Sequence, residues 1–243
     1  MARIISENSR QRTPYLAADN EAARHMLNKR EIFMDNNQKV TIKSFDNSVN
    51  EYMRKIGSLN NYNDTYDFLV NLVKENDNIL DLACGPAQIS SYILNKVNVN
   101  VTGVDLSGEM LKIAKSNVPG GVFIEDSIIT FNNKMEYELI IIGFGIPYLN
   151  MDQVKECIAN CASMLKADGN VYISFMEGLS HGFEKTSFGG NNEFFIYYHG
   201  KEAIINILEG YGIKIVKTFE LDYMETDGRI TKDVVIIGEN NSD

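Results

Sequence analysis

From residue 78 onward, short apolar runs rich in β-branched residues alternate with amphipathic stretches, and this alternation constrains the fold more than any other feature. Asn78–Leu82, Val99–Val104, Gly121–Ile124, Leu139–Ile142 and Val171–Phe175 read as strands. The Leu139–Ile142 run is apolar throughout, which predicts burial on both faces. Ile89–Lys96, the stretch through Met110, Leu111 and Ala114, Val154–Leu165 and Lys201–Glu209 read as helices. Asp168-Gly169 is expected to close the Val154–Leu165 helix, with the glycine in the left-handed conformation. Gly212–Glu220 and Lys232–Ile237 are strand-like and flank a turn at Asp227-Gly228, which reads as a hairpin. Alternating β and α units imply a parallel sheet with helices on both faces. The chain is therefore expected to be α/β, with a doubly wound, seven-stranded, mostly parallel sheet and a C-terminal antiparallel hairpin.

The chain's 243 residues suffice for one well-buried α/β domain with a small lid or insertion. Residues 1–33 stand apart, with six basic side chains against four acidic ones in a chain of net charge −10. They read as an N-terminal extension, either disordered or a lid. Residues 34–75 read as N-terminal helices covering the site. Asn47 to Ile56 forms one of them, with Val49, Tyr52, Met53 and Ile56 on one side. Asn63 or Asp64 caps the next, whose stripe is Tyr66, Leu69, Val70 and Val73. Residues 76–243 are the main domain.

The charge of −10 opposes a phosphate backbone and argues against nucleic acid as partner. No apolar stretch reaches membrane-spanning length and no signal-peptide core follows Met1, so a cytoplasmic protein without a membrane partner is expected. Cys84, Cys157 and Cys161 are too few for a disulfide framework. Cys157 and Cys161 share a helix face but lack two further ligands at zinc spacing, so no metal is expected. Monomer and homodimer both stay open.

In a doubly wound sheet, ligands bind beyond the carboxyl ends of the strands where strand order reverses. The first strand runs into Asp81-Leu82-Ala83-Cys84-Gly85-Pro86-Ala87. Gly85 lets the backbone approach a ligand closely, and a helix N-terminus follows. Val104-Asp105-Leu106-Ser107 ends the second strand, placing Asp105 18 residues after Ala87. Glu125-Asp126-Ser127 follows the third strand and Gly143-Phe144-Gly145 the fourth. In this order the segments resemble class I S-adenosylmethionine-dependent methyltransferases of the small-molecule type, over about residues 45–238. Asp105-Leu106-Ser107-Gly108-Glu109-Met110-Leu111 is similar to that family's Asp-x-Ser-x-x-Met-Leu segment. Ala83 and Ala87 depart from it, standing where the family often has glycine.

The resemblance implies S-adenosylmethionine as cofactor, S-adenosylhomocysteine as product and a small molecule as methyl acceptor at N or O. Asp105 would accept both ribose hydroxyls, each charge-assisted bond contributing about 1.5–3 kcal/mol. Asp81 would accept from the cofactor ammonium or ordered water, with Ala83, Cys84 and Gly85 lining the loop. Leu106 and Met110 would border the adenine. Asp126 would accept from its amino group beside Ser127, with a plain turn as the competing reading because Asp and Ser are common turn formers. Gly143 and Phe144 would line the donor site, and Tyr62 would contact it from the N-terminal lid.

The irregular segment 177–200 reads as an aromatic insert for the acceptor. Tyr148, Phe183, Tyr197 and Tyr198 are its candidate contacts; a β-arm whose aromatics fill their own core is the alternative. No motif dictates a catalytic base, and His181, His199 and Tyr148 are the candidates. A dinucleotide dehydrogenase would need Gly-x-Gly-x-x-Gly after the first strand, but residues 83–88 contain one glycine. A protein or RNA methyltransferase and a non-catalytic, cofactor-binding regulatory subunit remain as alternatives.

Overall fold

The computed structural model describes residues 34–56, 60–224 and 228–241. The expectations for residues 1–33 and for Asp227 concern residues outside those described. From Asn36 onward, the chain forms one compact unit.

Two helices come first: α1 (Asn36–Ile56) and α2 (Asn63–Val70). Then follow β1 (Asn78–Leu82), α3 (Gln88–Leu94), β2 (Asn100–Asp105), α4 (Gly108–Asn117), β3 (Val122–Glu125) and β4 (Tyr137–Gly143). A 3₁₀ turn at Ile146–Tyr148 leads into α5 (Met151–Met164) and β5 (Leu165–Met176). The remaining elements are β6 (His181–Lys185), β7 (Glu193–Tyr197), α6 (Lys201–Gly210), β8 (Ile213–Met224) and β9 (Ile230–Asn240).

Seven strands form one sheet in the order β3-β2-β1-β4-β5-β9-β8. β3, β2, β1, β4 and β5 run parallel, and β9 inserts antiparallel between β5 and β8. This is the sheet of the class I methyltransferase fold. Its order reverses between β1 and β4, so the tips of those strands flank the crevice where a doubly wound sheet binds ligands.

Side chains alternate between faces with period two, and both faces are covered. Leu80, Ile140, Ile142, Val171, Ile173, Val234 and Ile236 pack on the α5 and α6 side. Ile79, Leu139, Ile141, Tyr172, Val235 and Ile237 pack on the α2 and α3 side. Two buried faces favour apolar side chains at every position, which is why Leu139–Ile142 of β4 and Val234–Ile237 of β9 are unbroken apolar runs. Cys157 and Cys161 are thiols buried on the inner face of α5.

Three local expectations are corrected. The first helix begins at Asn36, eleven residues before Asn47. Neither Asn63 nor Asp64 caps α2. The N-cap is Tyr62, which makes no side-chain cap bond, and the Thr65 hydroxyl donates to its carbonyl at 2.7 Å. The left-handed residue after α5 is Asp168 (φ 60°), not Gly169. Gly169 is needed for space: a Cβ there would lie 2.9 Å from the Lys166 carbonyl oxygen and 3.0 Å from that of Tyr137.

Of the two readings of the 177–200 insert, the β-arm is the one that the backbone takes. It folds as a two-stranded antiparallel hairpin, β6–β7, separate from the main sheet. Among the described residues, no helix is long and apolar enough to cross a membrane.

Candidate functional site

The strand tips open into a cavity of about 250 Å³, walled by α1, the β1 and β4 loops, the β6–β7 hairpin and the start of β9. The β1 loop is shaped by three left-handed residues at alternate positions: Ala83 (φ 55°), Gly85 (φ 51°) and Ala87 (φ 58°). Alanine in this region is strained by about 1–2 kcal/mol relative to the right-handed region, so Ala83 and Ala87 hold conformations that glycine adopts freely. Phe144 (φ 52°) repeats the pattern after β4. Such strain gathers where a loop is shaped for a ligand. A Cβ on Gly85 would project to within 4.0 Å of the Tyr52 hydroxyl, into the space between the loop and α1.

Asp105 closes β2 and ties two loops together. Its Oδ2 accepts from the Gly85 N–H and its Oδ1 from the Ser107 N–H, both at 2.8 Å. The Ser107 hydroxyl caps α4 by accepting from the Met110 N–H at 3.1 Å, and donates to Asp46 of α1 at 2.5 Å. Asp81 accepts from the Ser90 hydroxyl at 2.6 Å. Burial pushes the Asp81 carboxyl up to about 7, against the Ser90 hydrogen bond and with help from the Asp105 charge. Burial also raises Asp105, opposed by its Ser107 and Gly85 bonds. Two acidic groups thus share a desolvated crevice and favour a cationic ligand.

The far side of the cavity is aromatic. Phe45 of α1 makes edge contacts with Tyr148 (5.1 Å between ring centroids) and Phe194 (4.8 Å), and Tyr52 contacts Phe188 (5.1 Å). Tyr62 packs edge-on against Phe144 at 5.4 Å, and its hydroxyl donates to Asp233 Oδ2 at 2.5 Å. Tyr198 donates to Glu184 at 3.0 Å.

The cavity brings together Tyr62, Asp81, Ala83, Cys84, Gly85, Asp105, Leu106, Met110, Gly143, Phe144, Tyr148 and Tyr198. The other candidates fall elsewhere. Asp126 and Ser127 border no part of it: the Asp126 N–H donates to the Asp105 carbonyl, and buried Ser127 accepts from the Ile129 N–H. Phe183 and Tyr197 lie on the outer face of the hairpin with His181 and Phe195, and Phe183 is 45% exposed. His181 is exposed and stacks on Tyr197 at 5.6 Å.

His199 is buried away from the cavity. Its Nε2 lies 2.9 Å from the Ile146 carbonyl. A carbonyl only accepts, so Nε2 carries the proton and the ring is a packed donor. Burial lowers its pKa, against the pull of two backbone carbonyls. Tyr148 lines the cavity, and burial raises its hydroxyl well above the usual range, which favours the protonated phenol.

Sequence reasoning missed Gln38, Thr41, Ile42 and Phe45 on α1, Glu184, Thr186 and Ile196 on the hairpin, and Tyr223 and Asp233 on β8 and β9. Period two along β7 was the available signal: Phe194 and Ile196 are buried inward, whereas Phe195 and Tyr197 face out.

Residues 79–169 match the family model described as a methyltransferase domain. A demethylmenaquinone methyltransferase of Chlorobaculum tepidum is 31% identical over 100 residues, 39% of each chain. The ribosomal RNA large subunit methyltransferase E of Brachyspira hyodysenteriae is 27% identical over 118 residues, 44% of this chain and 60% of that protein. The matched stretches span 38% to 71% of the curated relatives' own lengths. The crystal structure of magnesium protoporphyrin IX methyltransferase from Synechocystis PCC 6803 with bound S-adenosylmethionine superposes with a TM-score of 0.63. It is 15% identical, covering 86% of this chain and 99% of that one, and shares the fold. The segment from β1 to β5 is a methyltransferase domain in the class I fold.

Proposed function

We propose that this methyltransferase domain binds S-adenosylmethionine in the strand-tip crevice and transfers its methyl group to an N or O atom of a small molecule. The observation that carries the reading is Asp105: a carboxylate at the tip of β2, in a loop pinned to Gly85, beside a cavity that continues under α1 and the hairpin. The residues fit the donor. Gly85 leaves a cradle that a Cβ would fill, and Asp81 and Asp105 supply negative charge for a cationic molecule.

When bound, the cofactor supplies an electrophilic methyl on a sulfonium. Asp105 accepts the ribose hydroxyls, Asp81 accepts from the ammonium end, and Leu106 and Met110 border the base. Phe45, Phe144 and Tyr148 exclude water from the region between donor and acceptor, where positioning supplies most of the acceleration. Their ring faces also favour sulfonium charge. An acceptor chamber roofed by α1 and β7 suits a small molecule better than a polymer. Gly143 and Phe144 line the donor side at the tip of β4, and Asp126, beyond the tip of β3, is the proposed partner of the adenine amino group, with Ser127 beside it.

Calorimetry with S-adenosylhomocysteine tests the donor site, and a transfer screen with labelled donor across amines, phenols, carboxylates and RNA tests the acceptor. Absence of binding removes the reading; transfer to RNA alone replaces the small molecule.

A further inference from the structure

The hairpin carries into the cavity a carboxylate that donor binding does not use. Glu184 of β6 stands directly opposite Phe194 of β7, so the two share a face of the hairpin. Phe194 is completely buried and its ring centroid lies 4.8 Å from that of Phe45, which makes this the inner face. The flanking residues Phe183 and Lys185 are exposed, whereas Glu184 is partly buried and lines the cavity. Tyr198 donates to Glu184 Oε2 at 3.0 Å, which occupies one of the about four acceptor positions of a carboxylate.

Other ionisable groups of the lining are committed elsewhere. Asp105 ties the β1 and β2 loops together and Asp81 holds Ser90. Asp233 is engaged by Tyr62 and by further partners. Burial raises Tyr52, Tyr148 and Cys84, which favours their protonated forms. The walls that Glu184 shares are aromatic: Phe45 packs edge-on against Tyr148 and Phe194 and stacks with Phe188. Ring walls with a carboxylate among them suit a flat acceptor that presents an O–H. Such a hydroxyl must lose its proton as the new bond forms, whereas an amine that arrives neutral attacks with its protons in place.

We infer that Glu184, oriented by Tyr198, is the catalytic base for an acceptor that carries its hydroxyl on an aromatic ring. This rests on the methyltransferase reading above. The acceptor oxygen forms its bond to the methyl carbon while the carbon–sulfur bond breaks, its electron pair staying on sulfur. The hydroxyl proton passes to Glu184 and from there to solvent. Tyr198 is a positioning residue: its hydroxyl holds Oε2 and so presents Oε1 to the acceptor.

The test uses the full chain, labelled S-adenosylmethionine and two acceptors at about pH 8.5: 4-methylphenol, which arrives protonated, and 4-nitrophenol, which arrives largely ionised. Glu184→Gln keeps an acceptor for Tyr198 but takes no proton. It should lower kcat for 4-methylphenol at least 30-fold, with KM within threefold, kcat for 4-nitrophenol within threefold and S-adenosylhomocysteine affinity unchanged. Tyr198→Phe should lower kcat for 4-methylphenol about three- to tenfold and spare 4-nitrophenol in the same way. Calorimetry on the S-adenosylhomocysteine complex should show 4-nitrophenolate binding at least threefold more tightly to Glu184→Gln, because the carboxylate repels an anion beside it. In the unaltered protein, the solvent deuterium effect on kcat should be about 2 or more for 4-methylphenol and about 1 for 4-nitrophenol; this needs no variant, so misfolding of Glu184→Gln does not remove the test. Equal losses for the two phenols, equal deuterium effects, unchanged or weaker binding of 4-nitrophenolate to Glu184→Gln, or no transfer to either phenol overturns the inference. Failure of the underlying reading shows separately, as absent S-adenosylhomocysteine binding.

Discussion

Replacing Asp105 should damage folding and donor binding together, and the two costs can be separated. Both carboxylate oxygens already accept a backbone N–H at 2.8 Å, from Gly85 and from Ser107. A carboxylate offers about four acceptor positions, more than these bonds occupy, which leaves room for a ribose hydroxyl. In Asp105→Ala both N–H groups lose their partner. At about 1–3 kcal/mol per unmet group, and with the cavity able to admit water, the loss should be about 2–4 kcal/mol of stability. Donor affinity should fall as well, because two charge-assisted bonds of about 1.5–3 kcal/mol each correspond to at least a hundredfold. Asp105→Asn is the sharper perturbation. Its side chain keeps one acceptor oxygen and presents an NH₂ to the other backbone N–H, so donor meets donor. It should lose about 1–3 kcal/mol of stability and at least tenfold in affinity. Urea denaturation reads the first quantity, and calorimetry with S-adenosylhomocysteine the second. An Asn variant with wild-type stability and affinity would refute the assignment of Asp105 as the tie between the two loops and the ribose acceptor.

Three further outcomes are expected. Donor affinity should rise with pH up to about 7 and then level off: Asp81 is held near 7 by burial, a cationic donor favours its ionised form, and binding below 7 therefore releases a proton. By the same linkage, Asp81 binds a proton more tightly folded than unfolded, so its contribution to stability falls as pH rises from about 4 to 7; calorimetry in buffers of different ionisation enthalpy checks the first, and a flat affinity in Asp81→Asn confirms the origin. Ser48→Ala leaves the Gly189 carbonyl and the Asn192 amide without their hydroxyl partner, now 3.1 and 2.8 Å away, and should lower Tm by about 2–4 °C for about 1 kcal/mol, read by thermal denaturation. Gly103→Ala places a Cβ 2.6 Å from the Phe123 ring and 3.0 Å from Cys84 Sγ, which should cost about 1–3 kcal/mol through overpacking, measured by urea denaturation.

The sheet was legible because its strands are buried on both faces. Leu139–Ile142 and Val234–Ile237 have no polar alternation to mislead, and the order of loops along the chain follows the order of strand tips. Asp81, Gly85 and Asp105 were legible for the same reason, since Asp81 and Asp105 lie at the ends of β1 and β2 and Gly85 in the loop that follows β1. Asp233 was not, because its place beside the cavity depends on β9 inserting between β5 and β8, a pairing between residues 57 or more apart in sequence. Phe183 and Tyr197 were chosen for being aromatic. Once the segment folds as a hairpin, strand parity sends them outward and turns Phe194 and Ile196 inward. The early start of α1 was hidden for a different reason: its buried stripe is polar.

That stripe explains how the cavity gets its roof. Gln38, Thr41, Ser44 and Ser48 recur at helical spacing and are all buried, yet none would register as an apolar face. Gln38 donates to the Tyr148 carbonyl and to Gln153, while the partners of the other three are backbone groups on β7 or just before it. Thr41 accepts from the Phe195 N–H at 3.0 Å, Ser44 donates to the Glu193 carbonyl at 2.7 Å, and Ser48 donates to the Gly189 carbonyl just before the strand. An exposed strand edge invites pairing with another chain; here a helix satisfies it through side chains. Ladder hydrogen bonds from a further strand would have closed that edge equally well, but would have carried no side chains to the cavity. A helix does both tasks, because the turns that present Thr41 and Ser48 to β7 also present Phe45 and Tyr52 to the crevice. Opening the site by moving α1 would therefore expose the β7 edge unless the hairpin moved with it, so hydrogen-bond satisfaction favours α1 and β6–β7 moving as one body.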